Sequence, residues 1–362
     1  MSRGPMRVVT VHGSPRERGR AHGAAYRDEI RAYAVDRVDL VCAGAWSHHP
    51  LERPAVIELA EACLEPHRAY APDLVEEMAG IAEATGTSLP EMLIVNGFTD
   101  FVDTVYATYA HESASEDDCT AVIVPDRRSD GSGFLAQTWD MHDTATDHVI
   151  LLDVNGADEP RSLLLTTTGC IGQIGMNAAG IAIGINNLPG GDGKVGVTWP
   201  FVVRKALQQT TIEAALACIT DADLAGAHNY LLFDSLGNGY NVEAFSTATH
   251  VDRLDGDVIG HTNHCLAPQT LAVSQDKPTQ LQESSEVRLA TALDTLADGT
   301  IDYARVEALT QHPTISYRGG PPFHVETCGA AIMRPATGDF WACWGLPSEN
   351  PYQRFSLASV VA

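Results

Sequence analysis

The chain has 362 residues, 44% of them apolar and 19% charged, which suits one large or two ordinary globular domains and excludes intrinsic disorder. Lys plus Arg number 23 against 47 Asp plus Glu, a formal charge of −24, and such a field repels phosphate backbones and anionic lipid. The expected partners are therefore small molecules, not nucleic acid or membrane. No segment approaches the roughly 20 apolar residues of a membrane helix. The N-terminus has no signal-peptide pattern.

Residues 1–118 read as a helical segment. Asp73-Leu74-Val75-Glu76 has the form of a capping box, with Leu74, Met78, Ile81 and Thr85 following at helical spacing. Ser88-Leu89-Pro90-Glu91 is a second box with Pro in the first turn, and Arg53–Leu64 a further helix. Residues 111–118, HESASEDD, are acidic and aperiodic, and read as an exposed loop.

After Asp118 the pattern changes to short strands: Thr120–Val124, Phe134–Trp139, Val149–Val154, Ser162–Thr167, Ile171–Met176 and Ile181–Asn186. Turn signals such as SDGSG, NGADEP and NAAG separate them. A helix is expected over Phe201–Ile219. Strands return at Tyr230–Phe233 and Tyr240–Ala244. A helix over Ser284–Leu296 aligns Leu289, Leu293 and Leu296, and a hairpin of Ala330–Met333 and Phe340–Trp344 closes the chain. Strand runs interrupted by helix pairs predict an α+β fold of antiparallel sheets covered by helices.

The eight cysteines form no CxxC pair and mostly sit in apolar runs, which argues against a disulfide framework and for a cytoplasmic protein. Cys119 differs from the rest. It follows the acidic loop and opens a strand, and Gln137-Thr138-Trp139-Asp140 ends the next one. A hairpin would bring Cys119 and Asp140 to the same end of a sheet. Read without that context, Cys119 is a buried small residue and Asp140 a turn former.

Asn186 ends a strand, where an amide either makes a turn or donates to an oxyanion. His261-Thr262-Asn263-His264-Cys265 crowds small polar groups together. It lacks a second cluster with ligand spacing, so no metal and no cofactor is expected. His22, His111, His142 and His324 read as structural or surface histidines. Trp139 reads as core or pocket wall. Tyr317–Pro322 reads as a loop that could rim a pocket. Trp341 and Trp344 point to opposite faces of one strand. Residues 190–193, GGDG, form a turn without the strand–helix context of a phosphate loop.

Taken in order, these segments resemble a family. Gly13-Ser14-Pro15-Arg16-Glu17-Arg18-Gly19-Arg20-Ala21-His22-Gly23, Glu76–Ala82, Asn96, Thr99, Asp100, Asp118-Cys119-Thr120, Gln137–Asp140, Gly175–Leu188 and His261–Cys265 are similar to motifs of the autoproteolytic acyltransferases typified by acyl-coenzyme A:6-aminopenicillanic acid acyltransferase. The resemblance implies a cysteine N-terminal-nucleophile hydrolase with an αββα sandwich of two antiparallel sheets. It implies a precursor that cuts itself between Asp118 and Cys119. The piece 1–118 would become the small subunit and 119–362 the catalytic core, the two remaining associated.

By the same resemblance Cys119 is the nucleophile and Asp140 orients its amine. Asn263 and Asn186 serve the oxyanion. Read from their own positions, Trp139, Tyr317 and His324 are the candidate substrate contacts. Two departures stand out. The family carries Gly where this chain has Asp118, and a late Ser-Arg pair falls at Phe323 and His324. The implied activity is cleavage or transfer of the acyl group of a small amide, such as an acylated amine, a peptide or a β-lactam side chain, with a role in antibiotic metabolism among the options. The alternative is an uncleaved or inactive member of the fold that acts as a binding or scaffold protein. Oligomeric state is not readable, and a homo-oligomer is compatible with the sequence.

Overall fold

Short β-branched runs bounded by turns, alternating with capped helices, build two stacked sheets with helices outside them. A computed structural model describes residues 3–110, 119–321 and 324–357. Residues 111–118, including His111 and Asp118, and Phe323 lie outside the described residues.

Strand β1 (Val8–His12) is followed by helices α1 (Pro15–Ala25), α2 (Arg27–Cys42), α3 (Arg53–Tyr70), α4 (Pro72–Thr85), α5 (Leu89–Val95) and α6 (Phe98–Val105). Strands β2 (Thr120–Val124), β3 (Phe134–His142), β4 (Val149–Asn155), β5 (Ser162–Thr167), β6 (Ile174–Asn177) and β7 (Ile181–Asn187) come next. Helices α7 (Trp199–Ala206) and α8 (Ile212–Thr220) lead to strands β8 (His228–Asp234), β9 (Gly239–Ala244), β10 (Thr249–Arg253) and β11 (Ile259–His261). Helices α9 (Pro268–Leu271), α10 (Thr279–Thr295) and α11 (Tyr303–Thr310) precede β12 (Val325–Arg334), β13 (Asp339–Trp344) and β14 (Gln353–Ser356).

Eight strands form one sheet in the order β1-β4-β5-β6-β7-β8-β9-β10, and six form the other, β11-β2-β3-β12-β13-β14. β2 and β3 lie against β7 and β8, and β12 against β5 and β6, so the sheets stack face to face. Alternation along the strands decides which face each residue takes. Ala121, Ile123, Leu135 and Met333 enter the large core shared with the first sheet. Val122, Val124, Phe134, Ala136 and Ile332 face α10 and α11 through Ala292, Leu296, Val306 and Leu309. Burying each such side chain contributes about 1.5–3 kcal/mol. Helix α8 packs on β8 and β9 at the opposite side. The expected α+β, helix–sheet–sheet–helix layering is met.

Several local expectations are corrected. The first segment is not all helical: β1 runs parallel to β4, so the eight-stranded sheet is not purely antiparallel. Its run VVTVH alternates exposed and buried residues, as an edge strand with one covered face does. Helix α4 starts at Pro72 with Ala71 as N-cap, so Asp73 lies inside the helix and accepts instead from Gln208 Nε2 at 2.6 Å. The α5 capping box forms as read, with Ser88 and Glu91 bonding reciprocally. The helix expected over Phe201–Ile219 is two, because Thr211 caps a new start by accepting from the Ala214 N–H. On α10 the buried stripe is Leu281, Ser285, Arg288 and Ala292, while Leu293 is exposed. β10, β11 and β14 were not singled out in the sequence.

The first segment is stitched to the rest by buried charge. Arg18 on α1 meets Glu77 on α4 at 2.8 Å and Glu159 at 2.9 Å, and Arg204 on α7 meets Glu159 at 2.9 Å. Two cations and two anions close a neutral square, which is how buried charge is tolerated. Burial raises the Glu159 carboxyl, but Arg204 and Arg18 outweigh it and hold the group below the usual carboxylate range.

Candidate active site

The β2–β3 hairpin aligns Thr120 with Thr138, which sets Cys119 beside Trp139 and Asp140. The Cys119 thiol lies 3.7 Å from the Asp140 carbonyl. Across β3, Asp140 pairs with Thr327 and Trp139 with Gly329, and Cys328 is the extra residue of a bulge between them. A bulge bends its strand and re-aims neighbouring side chains. Cys119, Asp140, Asn186 and Asn263 are all buried, at 0–1% exposure.

A residue that the sequence reading missed ties the group together. Arg288 on α10 is 1% exposed. Its Nη1 donates to the Cys119 carbonyl at 2.6 Å and to Thr120 Oγ1 at 3.2 Å, and its Nη2 to Asn263 Oδ1 at 3.2 Å. A planar guanidinium suits this, because it holds several acceptors in fixed geometry. The leucine spacing on α10 pointed to another face, so only the packing shows that the buried stripe carries this one Arg.

Asn263 is held from both its backbone and its amide. Its Nδ2 donates to the Asn187 carbonyl at 3.0 Å, its N–H to Ser285 Oγ at 2.9 Å, and Lys277 Nζ donates to its carbonyl at 2.9 Å. With Oδ1 turned to Arg288, the amide cannot flip without breaking two bonds. Asn186 is one residue from the Asn263–Asn187 contact. Its Oδ1 accepts from Asn229 at 3.4 Å, and its Nδ2 is buried without a hydrogen-bond partner. Buried donors are nearly always satisfied, so such an atom calls for an explanation.

The loop that carries Asn263 is anchored by Glu243 on β9. That carboxylate accepts from His261 Nε2 at 3.0 Å, from the Leu266 N–H at 2.6 Å and from Thr270 Oγ1. Burial raises Glu243, but these donors outweigh it and keep it below the usual range. His261 is thereby committed, and His264 bonds Ser285 Oγ at 2.7 Å. Among the described residues no group of three or more His, Cys, Asp or Glu could hold a metal ion.

The remaining candidates lie further out. Trp139 shares the inward face of β3 with Met141 and is 3% exposed. The Tyr317 N–H donates to Thr327 Oγ1 at 2.9 Å, so the loop abuts the residue paired with Asp140. His324 Nδ1 is hydrogen-bonded to Asp143 Oδ2 at 3.1 Å, and its ring stacks on His142 with ring centroids 5.7 Å apart. Trp341 packs on Tyr303, whereas Trp344 donates to the Thr146 carbonyl on the opposite face. Beside Asn263 a cavity of about 230 Å³ is lined by His264, Lys277 and Gln282. A larger one, about 720 Å³, lies among α3, α7 and α8, and none of the candidate residues lines it.

The family model described as acyl-coenzyme A:6-aminopenicillanic acid acyl-transferase matches residues 127–348, a span that begins after Cys119. The 40 kDa form of acyl-coenzyme A:6-aminopenicillanic-acid-acyltransferase from Emericella nidulans is 27% identical over 261 residues, 71% of this chain and 69% of that protein. Among solved structures, a mutant conjugated bile acid hydrolase from Clostridium perfringens is similar at a TM-score of 0.49 and 12% identity, covering 66% of this chain and 92% of that one. An N-acylethanolamine-hydrolyzing acid amidase ortholog from Caenorhabditis elegans gives 0.43 and 14%, covering 60% and 93%. With its model matched over more than half of the residues, the chain belongs to the acyl-coenzyme A:6-aminopenicillanic acid acyl-transferase family.

Proposed function

We propose that the chain is an autoproteolytic cysteine N-terminal-nucleophile amidohydrolase and acyltransferase, which takes the acyl group of a small amide onto Cys119 as a thioester. The observation that carries this reading is the convergence on one residue. The Cys119 thiol lies at the Asp140 carbonyl, and the Cys119 carbonyl is held by the same guanidinium that orients Asn263.

Maturation begins when the Cys119 thiol attacks the Asp118 carbonyl. The peptide C–N bond breaks as the C–S bond forms, leaving a thioester and a free α-amine on Cys119, and water then releases the Asp118 carboxylate. An α-amine titrates at about 7.7–8.0, well below a lysine, so near neutral pH it can take the thiol proton. Nucleophile and base then share one residue, with their separation set by covalent geometry. Asp140 accepts from the ammonium and holds its rotamer.

Attack on a substrate amide places negative charge on the carbonyl oxygen. The second Nδ2 hydrogen of Asn263 and the unpartnered Nδ2 of Asn186 are the donors for it, each supplying about 3–4 kcal/mol by the precedent of other oxyanion holes. Water completes hydrolysis, and an amine completes transfer. The family description, which names a coenzyme A thioester and an amine-bearing nucleus, supports the transfer branch. Trp139, Tyr317 and His324 face the acyl or amine group.

β1 within the first sheet and the Arg18–Glu77–Arg204–Glu159 square would keep the two pieces together after cleavage. No helix among the described residues is long and apolar enough to cross a membrane. Cysteines kept as thiols suit a reducing cytoplasm.

Intact mass spectrometry tests the reading. Purified protein should give pieces of 118 and 244 (362 − 118) residues, and Cys119→Ala one chain. A panel of p-nitroanilides and thioesters should then show turnover that requires Cys119. A single uncut chain whose Cys119 resists iodoacetamide would instead select a binding protein on the same fold.

A further inference from the structure

One side chain crosses from the second sheet to the first and behaves there like a strand. Gln137 on β3 is 1% exposed. Its Nε2 donates to the Ile185 carbonyl on β7, and the Ile185 N–H donates back to Gln137 Oε1 at 2.7 Å. The two bonds close a ring equivalent to the exchange between paired residues of neighbouring strands. Its position is informative. The β6–β7 pairing ends at Gly175↔Ile183, two residues before Ile185. Gln137 takes up the backbone groups just past that end, groups that are costly to bury unpaired.

A second observation concerns the residue beneath the amide. A Cβ on Gly184 would lie 2.7 Å from Gln137 Oε1 and 3.0 Å from Leu135 Cδ2. Gly184 is not among the glycines with positive φ, so the close approach of Gln137 is what the position accommodates. Gly184 and Asn186 share one face of β7, the face toward β3. Asn186 follows Ile185 directly and carries the buried, unpartnered Nδ2.

We propose that Gln137 is a positioning residue: its amide fixes the β7 backbone at Ile185 and so aims the Asn186 amide at the carbonyl oxygen undergoing attack. Gln137 itself touches no reacting atom. The inference rests on the reading of Cys119 and Asn186 given above. It adds that the oxyanion donor on one sheet is registered against the nucleophile on the other by this bridge, and not by the strand ladder alone.

The test is a double-mutant cycle on the self-processed protein, with the p-nitroanilides of acetic, hexanoic and phenylacetic acids as probes. Gln137→Met keeps the volume and removes the amide. It should lower kcat about tenfold or more with KM within about twofold, since a misaimed donor weakens the transition state and not the ground state. The rate at which iodoacetamide alkylates Cys119 should not change. In an Asn186→Ala background the same substitution should cost little more, because the two residues act as a unit.

Additive losses, or a parent-like kcat in Gln137→Met, would overturn the positioning role and leave the Cys119 reading standing. If the parent turns over none of the probes, or if Cys119→Ala turns them over as well as the parent, the reading of the site fails and this inference fails with it. Should Gln137→Met not fold, Gly184→Ala carries the same cycle, because its methyl displaces the bridging amide while leaving Gln137 in place.

Discussion

Arg288 donates to the backbone carbonyl of Cys119 at 2.6 Å across 169 positions of sequence. One turn of its fork later it reaches Asn263 Oδ1. Arg288→Lys keeps the charge but offers a point donor that cannot serve both acceptors. Turnover should fall by about 100-fold, the scale of removing one oxyanion donor, because the Asn263 amide is then held by the Asn187 carbonyl alone. Arg288→Met should lose more and should also lower stability, since it leaves buried acceptors unpaired. Steady-state kinetics beside a urea titration separate the two effects. Full turnover in Arg288→Lys would show that Asn263 needs no such hold.

Acid should unfold the protein through its buried histidines. Burial pushes His22 down to about 4, His67 to about 4 and His228 to about 3. The geometry agrees, for His22 Nε2 accepts from the Gly169 N–H at 3.1 Å and His67 Nε2 from the Thr198 N–H at 3.0 Å, so both rings are neutral. In the unfolded chain these groups protonate near 6.5, so the unfolded state binds more protons below that value. No stability is lost above pH 6.5. Between 6.5 and about 4 each ring removes about 1.4 kcal/mol per pH unit. The thermal midpoint should drop steeply over that window, and His67→Gln should flatten the slope. A midpoint level from pH 7 to 5 would contradict this account.

The charged square predicts an asymmetric response. Glu77→Gln removes the anion between Arg18 and Arg204, side chains 4% and 0% exposed. Breaking a buried pair from one side costs about 3–5 kcal/mol. The cost should appear in denaturant midpoints of the intact chain. If the chain is cut as proposed, the pieces should also separate at lower urea than in the parent, as read by size-exclusion chromatography. An unchanged urea midpoint would mean the square contributes nothing to holding the first segment.

Helices α1 and α4 touch through glycine. A Cβ on Gly19 would sit 1.8 Å from the Glu77 carbonyl oxygen, and one on Gly80 would sit 2.3 Å from the Arg16 carbonyl oxygen. Both obstacles are backbone, so the helices themselves must separate. Gly19→Ala should destabilise by about 3 kcal/mol or more, at the upper end for overpacking, despite the better helix propensity of alanine. The control is Gly86→Asn at the C-cap of α4, where the left-handed φ of +74° tolerates Asn and a Cβ meets nothing within 4 Å. Chemical denaturation of both variants checks the pair.

What the sequence by itself determined is what physics reads over a few residues. Ser88 and Glu91 capped a helix where they were expected to, because both partners of the box lie within one turn. The strands from Thr120 to Asn187 were legible because turn residues bound β-branched runs, although the one expected at Ile171 begins at Ile174. Antiparallel sheets under helices followed from their order, and the two-sheet sandwich from the family resemblance. The hairpin that sets Cys119 beside Asp140 was legible too, because turn and register are local. Where the reading slipped, a neighbour distant in sequence decided. Val8–His12 is a strand because β4 supplies its partner, and Leu293 is exposed because the contact with β2 and β11 turns Arg288 inward instead. Arg288 with Cys119, Gln137 with Ile185 and Asn263 with Asn187 are separated by 169, 48 and 76 positions. No spacing rule encodes those pairs. They exist because two sheets stack and a helix closes over the end, and burial then requires each polar atom there to find whichever partner the packing brings within reach.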